Sequence, residues 1–158
     1  MCFDVSFHAD LRNRGFSLLE IMTVIAIMGT LAVLGMAGFR NFVQQAALDT
    51  ATGDVYTALS DARSATLASE YGEQFGVYVE ANRITRFRGS AYDETSPFNQ
   101  VIALPGIAVT TTLEDGPEIL FERRTGRSSN HGSIRLTQGS TNASTTMTIY
   151  TSGIVSIP

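Results

Sequence analysis

The sequence contains no lysine, so its eleven basic residues are all arginines. It contains one cysteine, Cys2, and two histidines, His8 and His131. Because a disulfide needs two cysteines, Cys2 cannot form one within the chain. The net charge is −4, and this acidic balance argues against a protein that coats nucleic acid with its whole surface.

Residue groupings that are typical of catalytic or metal sites are also missing. His131 stands in a serine-rich loop without the partners of a catalytic triad, and the loop predicts a polar turn. Cysteine, histidine and carboxylate residues show no metal-ligand spacing. Glu114-Asp115-Gly116 is an alternative calcium site, but two acids before a glycine are more typical of a turn. We therefore expect no catalytic residues, no metal and no cofactor.

The longest apolar run extends from Phe16 to Phe39 and is interrupted by a single charge, Glu20. As a helix it would be about 35 Å long, which is enough to span a hydrocarbon core of about 30 Å. Arg12 and Arg14 precede the run and Arg40 ends it. The arrangement predicts a membrane-spanning helix whose N-terminus lies in the cytoplasm.

Three ordinary interpretations compete for this run. A secretory signal peptide has a shorter apolar core and a small-residue cleavage site after it. A lipoprotein signal would place its cysteine after the run, whereas Cys2 precedes it. A plain membrane anchor fits better but does not explain Glu20, because a carboxylate within hydrocarbon costs about 2.5–3.5 kcal/mol. Glu20 is therefore a candidate functional residue.

The start of the run closely resembles the N-terminal signature of type IV prepilins and type II secretion pseudopilins. The segment that carries this resemblance is Gly15-Phe16-Ser17-Leu18-Leu19-Glu20-Ile21-Met22-Thr23-Val24-Ile25-Ala26-Ile27. The motif joins a glycine-aromatic junction, a glutamate and an uninterrupted apolar helix.

The resemblance implies a processing step and a mode of assembly. A membrane-embedded prepilin peptidase would cut between Gly15 and Phe16, remove residues 1–15 as a leader and methylate the Phe16 amine. In a filament, Glu20 would pair with the Phe16 amine of an adjacent subunit, since an ion pair offsets the desolvation of a lone carboxylate. The implied location is the bacterial inner membrane, spanned once, with the C-terminal domain periplasmic before assembly.

Beyond Arg40 the apolar residues recur at spacings of three and four, which is typical of an amphipathic helix. The pattern predicts one long helix from about Ser17 to about Tyr71, divided into an assembly segment at 16–39 and an amphipathic continuation at 40–71. The residues predicted to share the apolar face are Phe39, Phe42, Val43, Ala46, Ala51, Val55, Leu59, Ala62 and Ala65.

The remaining residues, 72–158, show strand patterns separated by turn signals such as Pro105-Gly106. Strands are predicted at 75–80, 83–88, 100–104, 107–113, 118–122, 133–138, 146–150 and 154–157, with a polar loop at 89–99. The predicted fold class is α+β, with the long N-terminal helix packed on a C-terminal antiparallel sheet domain.

A second resemblance is narrower and points to the GspH/FimT group of minor pseudopilins and minor pilins. One part is the helix-end segment Leu59-Ser60-Asp61-Ala62-Arg63-Ser64-Ala65-Thr66. The other part is a C-terminal pattern of strand residues and turn glycines, which includes Ile119-Leu120-Phe121, Gly126, Ile134-Arg135-Leu136, Met147-Thr148-Ile149 and Gly153-Ile154-Val155.

The arginines suggest a possible nucleic-acid site. Arg123, Arg124 and Arg127 share one loop and Arg135 follows on the next predicted strand, while Arg86 and Arg88 share a strand face opposite Phe87. Some pilus-borne members of the resembled group bind DNA through an arginine-rich C-terminal loop. Here Thr125-Gly126-Arg127-Ser128 matches part of that motif, and a further downstream arginine is missing. The alternative is a solvated rim in which the arginines pair with Glu118, Glu122 and Asp115.

Together these features predict a non-enzymatic minor pseudopilin of a type II secretion pseudopilus. Its expected partners are prepilin peptidase, other pilins or pseudopilins and the inner membrane. The alternatives are a minor pilin of a type IV pilus, with a role in DNA uptake, and a singly anchored β domain that binds an extracellular ligand.

Overall fold

The computed structural model describes residues 16–157, and Gly15 therefore lies outside the described part. It shows a long helix α1, Leu18–Leu67, a 3-10 turn, Glu70–Gly72, and eight strands. The chain divides into two compact units between Phe39 and Arg40.

Helix α1 begins at a side-chain cap supplied by Ser17. The Ser17 hydroxyl accepts a hydrogen bond from the Glu20 amide at 3.2 Å, which satisfies one of the free amides of the first turn. Further along, the hydroxyl of Thr23 donates to the Leu19 carbonyl at 2.8 Å and that of Thr30 to the Ile27 carbonyl at 2.8 Å. By length and composition, α1 is the one helix within residues 16–157 that is able to cross a membrane.

The second half of α1 buries one face in the core. The buried apolar residues are Leu48, Ala51, Val55, Ala58, Leu59, Ala62 and Ala65. Their spacing of three and four residues confirms the predicted amphipathic pattern from Ala51 to Ala65. Phe39, Phe42, Val43 and Ala46 belong to the same pattern but are exposed, so the buried face begins only at Leu48.

Helix α1 ends at Leu67, four residues before the predicted end at Tyr71. Ser69 and Tyr71 both adopt a φ of 51°, which the helix cannot accommodate. The hydroxyl of Thr66 accepts a hydrogen bond from the Phe75 amide at 2.9 Å and thereby connects the helix end to the first strand. Gly72, with a φ of 71°, marks the reversal in the sequence, but it begins earlier, at Ser69, which carries no such signal.

The eight strands lie close to their predicted positions. They are β1 Phe75–Val79, β2 Arg83–Arg88, β3 Gln100–Ala103, β4 Ile107–Leu113, β5 Glu118–Leu120, β6 Gly132–Gln138, β7 Ser144–Ile149 and β8 Val155–Ser156. The strands form two four-stranded antiparallel sheets, in the orders β3-β2-β1-β5 and β4-β6-β7-β8. The α+β class with an antiparallel sheet domain is confirmed, and the division into two sheets is a feature that the strand pattern did not reveal.

One hydrophobic core lies between α1 and both sheets. Val77 and Ile119 of the first sheet and Ile134 and Met147 of the second are fully buried together with the helix residues. Alternate residues of each strand enter this core, since successive side chains of a strand point to opposite faces.

Arg86 and Arg88 lie on the helix side of the first sheet, because they are paired with Val77 and Phe75 in the β1–β2 register. Phe87 lies on the opposite face, as predicted. This face carries a small aromatic cluster, in which Tyr92 of the loop 89–99 stacks on Tyr78 at 4.1 Å and meets Phe87 edge-on at 5.7 Å.

Candidate functional site: the helix start and the arginine loop

Of the predicted processing and assembly residues, Gly15 lies outside the described residues, Phe16 directly precedes α1 and Glu20 lies in its first turn. Phe16 is the first described residue, and its side chain is 78% exposed. Residues Phe16 to Met36 are all exposed in the single chain. This surface is apolar, so lipid or other protein must cover it in the cell.

Ser17 and Glu20 have the spacing of a capping box, in which the glutamate side chain returns to the amide of the capping serine. Only half of that arrangement is present. The Ser17 hydroxyl caps the Glu20 amide, but the Glu20 carboxylate makes no hydrogen bond or ion pair within residues 16–157. The Glu20 carboxylate therefore takes no part in capping the helix and is available for an intermolecular contact.

The predicted arginine cluster lies on the loop Phe121–Ser128, which we call the arginine loop. Its ends are joined by a β-bridge between Phe121 and Ser128 and by a 2.8 Å hydrogen bond from the Glu122 amide to the Arg127 carbonyl. Arg124 adopts a φ of 71° at the tip. The side chains of Arg123, Arg124 and Arg127 are exposed.

The exposed arginines agree with the solvated rim of the alternative, but the ion pairs expected with it are absent among the described residues. Glu122 accepts a hydrogen bond from the Thr125 hydroxyl at 3.0 Å, and Glu118 accepts one from the Tyr92 amide at 3.3 Å. Glu114 pairs with His131 at 3.2 Å. Within residues 16–157 no carboxylate lies within 4.0 Å of a guanidinium nitrogen of the arginine loop.

A side chain of α1 binds the arginine loop. Nε of Arg63 donates a hydrogen bond to the Gly126 carbonyl at 3.1 Å. A Cβ atom at Gly126 would approach Leu67 to 3.0 Å, and one at Gly153 would overlap the Gly126 carbonyl oxygen. Both glycines have positive φ, 63° and 75°. We call Arg63, Gly126 and Gly153 the glycine–arginine node.

The node joins three segments that are far apart in the chain: α1, the arginine loop and the turn between β7 and β8. Ser128 adds a second connection, because its amide donates to the Thr151 carbonyl of that turn at 3.2 Å. Sequence reasoning included Arg63, Gly126 and Gly153 in the second resemblance but did not predict that they meet.

Arg135 does not join this group. It lies on β6, opposite Thr110 of β4 and Thr146 of β7, and its side chain is exposed on the face away from the core. The predicted set of four arginines therefore consists of three on one loop and one on a sheet face.

The turn Glu114–Gly116, considered above as a calcium site, is organised by a residue that sequence reasoning missed. Asn130 is 2% exposed, and its amide nitrogen donates to the carbonyls of Asp115, Gly116 and Glu118 at 2.8–3.1 Å. Its side-chain oxygen accepts from the Asp115 amide at 3.0 Å. In the part of the chain that the structure describes, no three His, Cys, Asp or Glu residues cluster as metal ligands would.

Comparison with known proteins identifies the N-terminal segment. A family model described as the prokaryotic N-terminal methylation motif matches residues 10–36. No curated protein and no solved structure matches the chain. The motif and the fold, a long apolar N-terminal helix with an antiparallel sheet domain, support a type IV pilin-like class.

Proposed function

We propose that the protein is a minor pseudopilin, a structural subunit of a type II secretion pseudopilus. It is inserted in the inner membrane, cut by prepilin peptidase between Gly15 and Phe16, and assembled through α1. Its β domain then contacts neighbouring subunits of the filament.

The observation that carries this proposal is the methylation motif at residues 10–36, placed at the head of an apolar helix. The free carboxylate of Glu20 supports it, because a charged group in hydrocarbon needs a partner. A methylated Phe16 amine of a neighbouring subunit supplies the positive charge. Such a pair sets the axial register of one helix against the next.

The glycine–arginine node supports the narrower assignment to the GspH/FimT group. The two parts of the second resemblance are separated by more than fifty residues, and Arg63 and Gly126 within them form a direct hydrogen bond. A sequence pattern whose two parts contact each other in the fold says more about the group than strands and turn glycines alone, because any β domain contains those.

Processing can be tested directly by co-expressing the full chain with a prepilin peptidase. We expect the intact mass to decrease by residues 1–15 and to carry one added methyl group on Phe16. Gly15→Val should block cleavage, while Ser17→Ala, a change on the other side of the junction, should leave it in place. Retention of residues 1–15 in the wild-type chain would favour a plain membrane anchor.

The filament system can be assigned by deleting the gene in its own host. Secreted proteins, surface pili and DNA uptake are scored side by side. Loss of secreted proteins with normal pili supports the secretion pseudopilus. Loss of pili or of DNA uptake with normal secretion contradicts it and favours a type IV pilus minor pilin.

The second candidate function, DNA binding by a type IV pilus minor pilin, is favoured by one observation. Arg123, Arg124 and Arg127 are exposed and have no carboxylate partner among the described residues. Three phosphate contacts would give a salt dependence with a logarithmic slope of about −2 to −3. The change Arg123→Ala/Arg124→Ala/Arg127→Ala should abolish this binding. Arg135→Ala should have little effect, and equal binding by the triple variant would exclude the loop.

A further inference from the structure

The first sheet contains a second arginine group, which the proposed function does not use. A cleft of about 390 Å³ lies beside the end of α1, and its lining includes Tyr71, Arg86, Arg88, Phe98 and Asn99. All of these residues belong to the unit that begins at Arg40. We call it the arginine–aromatic cleft.

The two arginine side chains in the cleft are partly buried, and each is in a long ion pair that contains no hydrogen bond. The side chain of Arg86 is 21% exposed and that of Arg88 is 24% exposed. Their nearest carboxylates are Asp61 at 3.8 Å and Glu73 at 4.0 Å, which is too far for a hydrogen bond. Within residues 16–157 neither group donates a hydrogen bond. Because a guanidinium has five N–H donors, the cleft offers several to a ligand.

Aromatic rings hold Arg88 in a fixed position. Its guanidinium carbon lies 4.8 Å from the Tyr71 ring centroid and 4.4 Å from that of Phe98. Rings over the guanidinium leave its N–H edges free to bind a planar anion. Tyr71 adopts a φ of 51°, an uncommon conformation for a bulky residue that places its ring in the cleft.

Asn99 is a partly buried residue of the cleft lining. Its amide nitrogen donates a hydrogen bond to the Asp93 carbonyl at 2.7 Å, which fixes the loop that carries Phe98. Its side-chain oxygen is buried in this loop and is not accessible to a ligand.

We propose that the arginine–aromatic cleft binds an extended acidic peptide segment of a protein partner, with one carboxylate on Arg86 and Arg88 and an apolar side chain against Phe98. A carboxylate accepts two parallel hydrogen bonds from one guanidinium. The proposal does not depend on the filament function, since binding is measured with the chain alone.

The surroundings favour a peptide over a nucleic acid. Asp61, Glu70 and Glu73 at the margin are exposed, and their negative charges disfavour a chain of phosphates more strongly than a peptide with a single carboxylate. Strand β3, which begins at the cleft residue Gln100, pairs only with β2 among the described strands. Its other edge is available to a peptide backbone. Phe98 and Val101 are 57% and 56% exposed and add apolar contact area beside it.

The test uses the full chain in detergent micelles and a blocked pentapeptide with the sequence Val-Phe-Glu-Val-Thr. A control peptide has the same sequence with glutamine in place of glutamate. Amide chemical shifts are followed by NMR during titration. We expect saturable shifts confined to residues 70–75, 86–88 and 97–101, and an affinity at least about tenfold higher for the glutamate peptide, as for a charge-assisted hydrogen bond.

Substitutions test which side chains of the cleft bind the peptide. Arg88→Gln should reduce the affinity at least about tenfold. Phe98→Ala should also weaken binding, and it serves as the test if Arg88→Gln does not fold. Arg135→Gln, an equal charge change on the second sheet, should bind normally.

Three results would overturn the proposal. The first is equal affinity for the two peptides, and the second is the absence of localised shifts with either of them. The third is tighter binding of an oligothymidylate to the same residues, which would assign the cleft to nucleic acid.

Discussion

Gly76 shows how closely single residues are packed in the β domain. It lies opposite Phe87 in the β1–β2 register, and the ring of Phe87 covers it. A Cβ atom at Gly76 would lie 2.5 Å from Cζ of Phe87 and 2.7 Å from the Ile119 carbonyl oxygen. The glycine is needed here for space, since Phe87 is 1% exposed and cannot move outward without losing its contacts.

We therefore expect Gly76→Ala to lower the free energy of unfolding by about 1–3 kcal/mol, the usual cost of overpacking. Gly53→Ala is the matched control, because it adds the same methyl group within α1, where no atom lies within 4 Å. It should raise stability by up to about 1 kcal/mol. Denaturant unfolding of the full chain in detergent measures both, and equal effects would contradict the steric explanation.

At the scale of elements, the glycine–arginine node determines where the arginine loop lies. Helix α1 supplies the donor, Arg63, and the loop supplies the acceptor, the Gly126 carbonyl, which lies close to Gly153 of the β7–β8 turn. The β-bridge and the hydrogen bonds at the ends of the loop fix its base, and this contact connects the segment of the three exposed arginines to α1.

Arg63→Ala should destabilise the domain by about 1.5–3 kcal/mol, the range for a hydrogen bond to a charged group. The loss should be concentrated in faster hydrogen exchange of the Gly126 and Ser128 amides. Arg63→Lys should recover only part of the lost stability. The lysine ammonium lies one bond farther from the backbone than Nε of arginine, on a flexible chain, and therefore does not reproduce this donor. Arg135→Ala is the control and should change stability by less than about 0.5 kcal/mol. Unchanged exchange in Arg63→Ala would show that the loop is held by other contacts.

The loop 89–99 has its own pH-sensitive restraint. The Asp93 carboxylate accepts hydrogen bonds from the Thr95 hydroxyl at 2.7 Å and the Thr95 amide at 2.9 Å. Both bonds hold the pKa of Asp93 below its usual value of 3.8, and the bond from the Thr95 hydroxyl has the larger effect. Because the pKa is lower in the folded chain, these bonds stabilise the loop above pH 3.8 and are lost as the pH falls through the folded value.

An NMR titration of the Asp93 carboxyl should therefore give a midpoint below that of an unstructured aspartate. Thr95→Val removes the hydroxyl, and the midpoint should rise toward the ordinary value. Thr57→Val, a change at an exposed position of α1, should leave it unaltered. An identical midpoint in Thr95→Val would show that the hydroxyl does not set the pKa.

At the scale of the whole molecule, the first half of α1 needs a partner that the single chain does not supply. Residues 16–36 are exposed and apolar, and Glu20 is the one carboxylate among them. A bilayer covers the apolar side chains but not the charge. The proposed assembly with other subunits would satisfy both requirements.

Glu20→Ala should leave cleavage and membrane insertion intact and reduce incorporation into filaments at least about tenfold, since the loss of one ion pair in hydrocarbon exceeds 1.4 kcal/mol. Thr30→Ala is the control, because its hydroxyl bonds only to the Ile27 carbonyl of its own helix. Immunoblots of sheared filaments and of membranes measure incorporation and insertion separately. Normal incorporation of Glu20→Ala would remove the assembly role of Glu20.

Local patterns were sufficient to predict most elements of this protein. Every predicted strand is present within about two residues at either end, because alternation and turn residues such as Pro105-Gly106 act over a few positions. The helix end was misplaced by four residues, since Ser69 and Tyr71 adopt left-handed conformations before Gly72, the glycine that marks the turn in the sequence. The expected ion pairs of the arginine loop were also wrong, because charge proximity in sequence does not determine which side chains meet in space.

The sequence by itself determined the membrane-spanning length of the apolar run, the methylation motif, the isolated carboxylate of Glu20 and the α+β class. These features depend on residues within a few positions of one another, so no folded partner is needed to recognise them. The tertiary structure alone decided that the strands divide into two sheets, that Arg63 meets Gly126 and that Arg88 lies between Tyr71 and Phe98. Each of these depends on register and on the closing of long loops, because contacts between distant segments form only when the common core is packed.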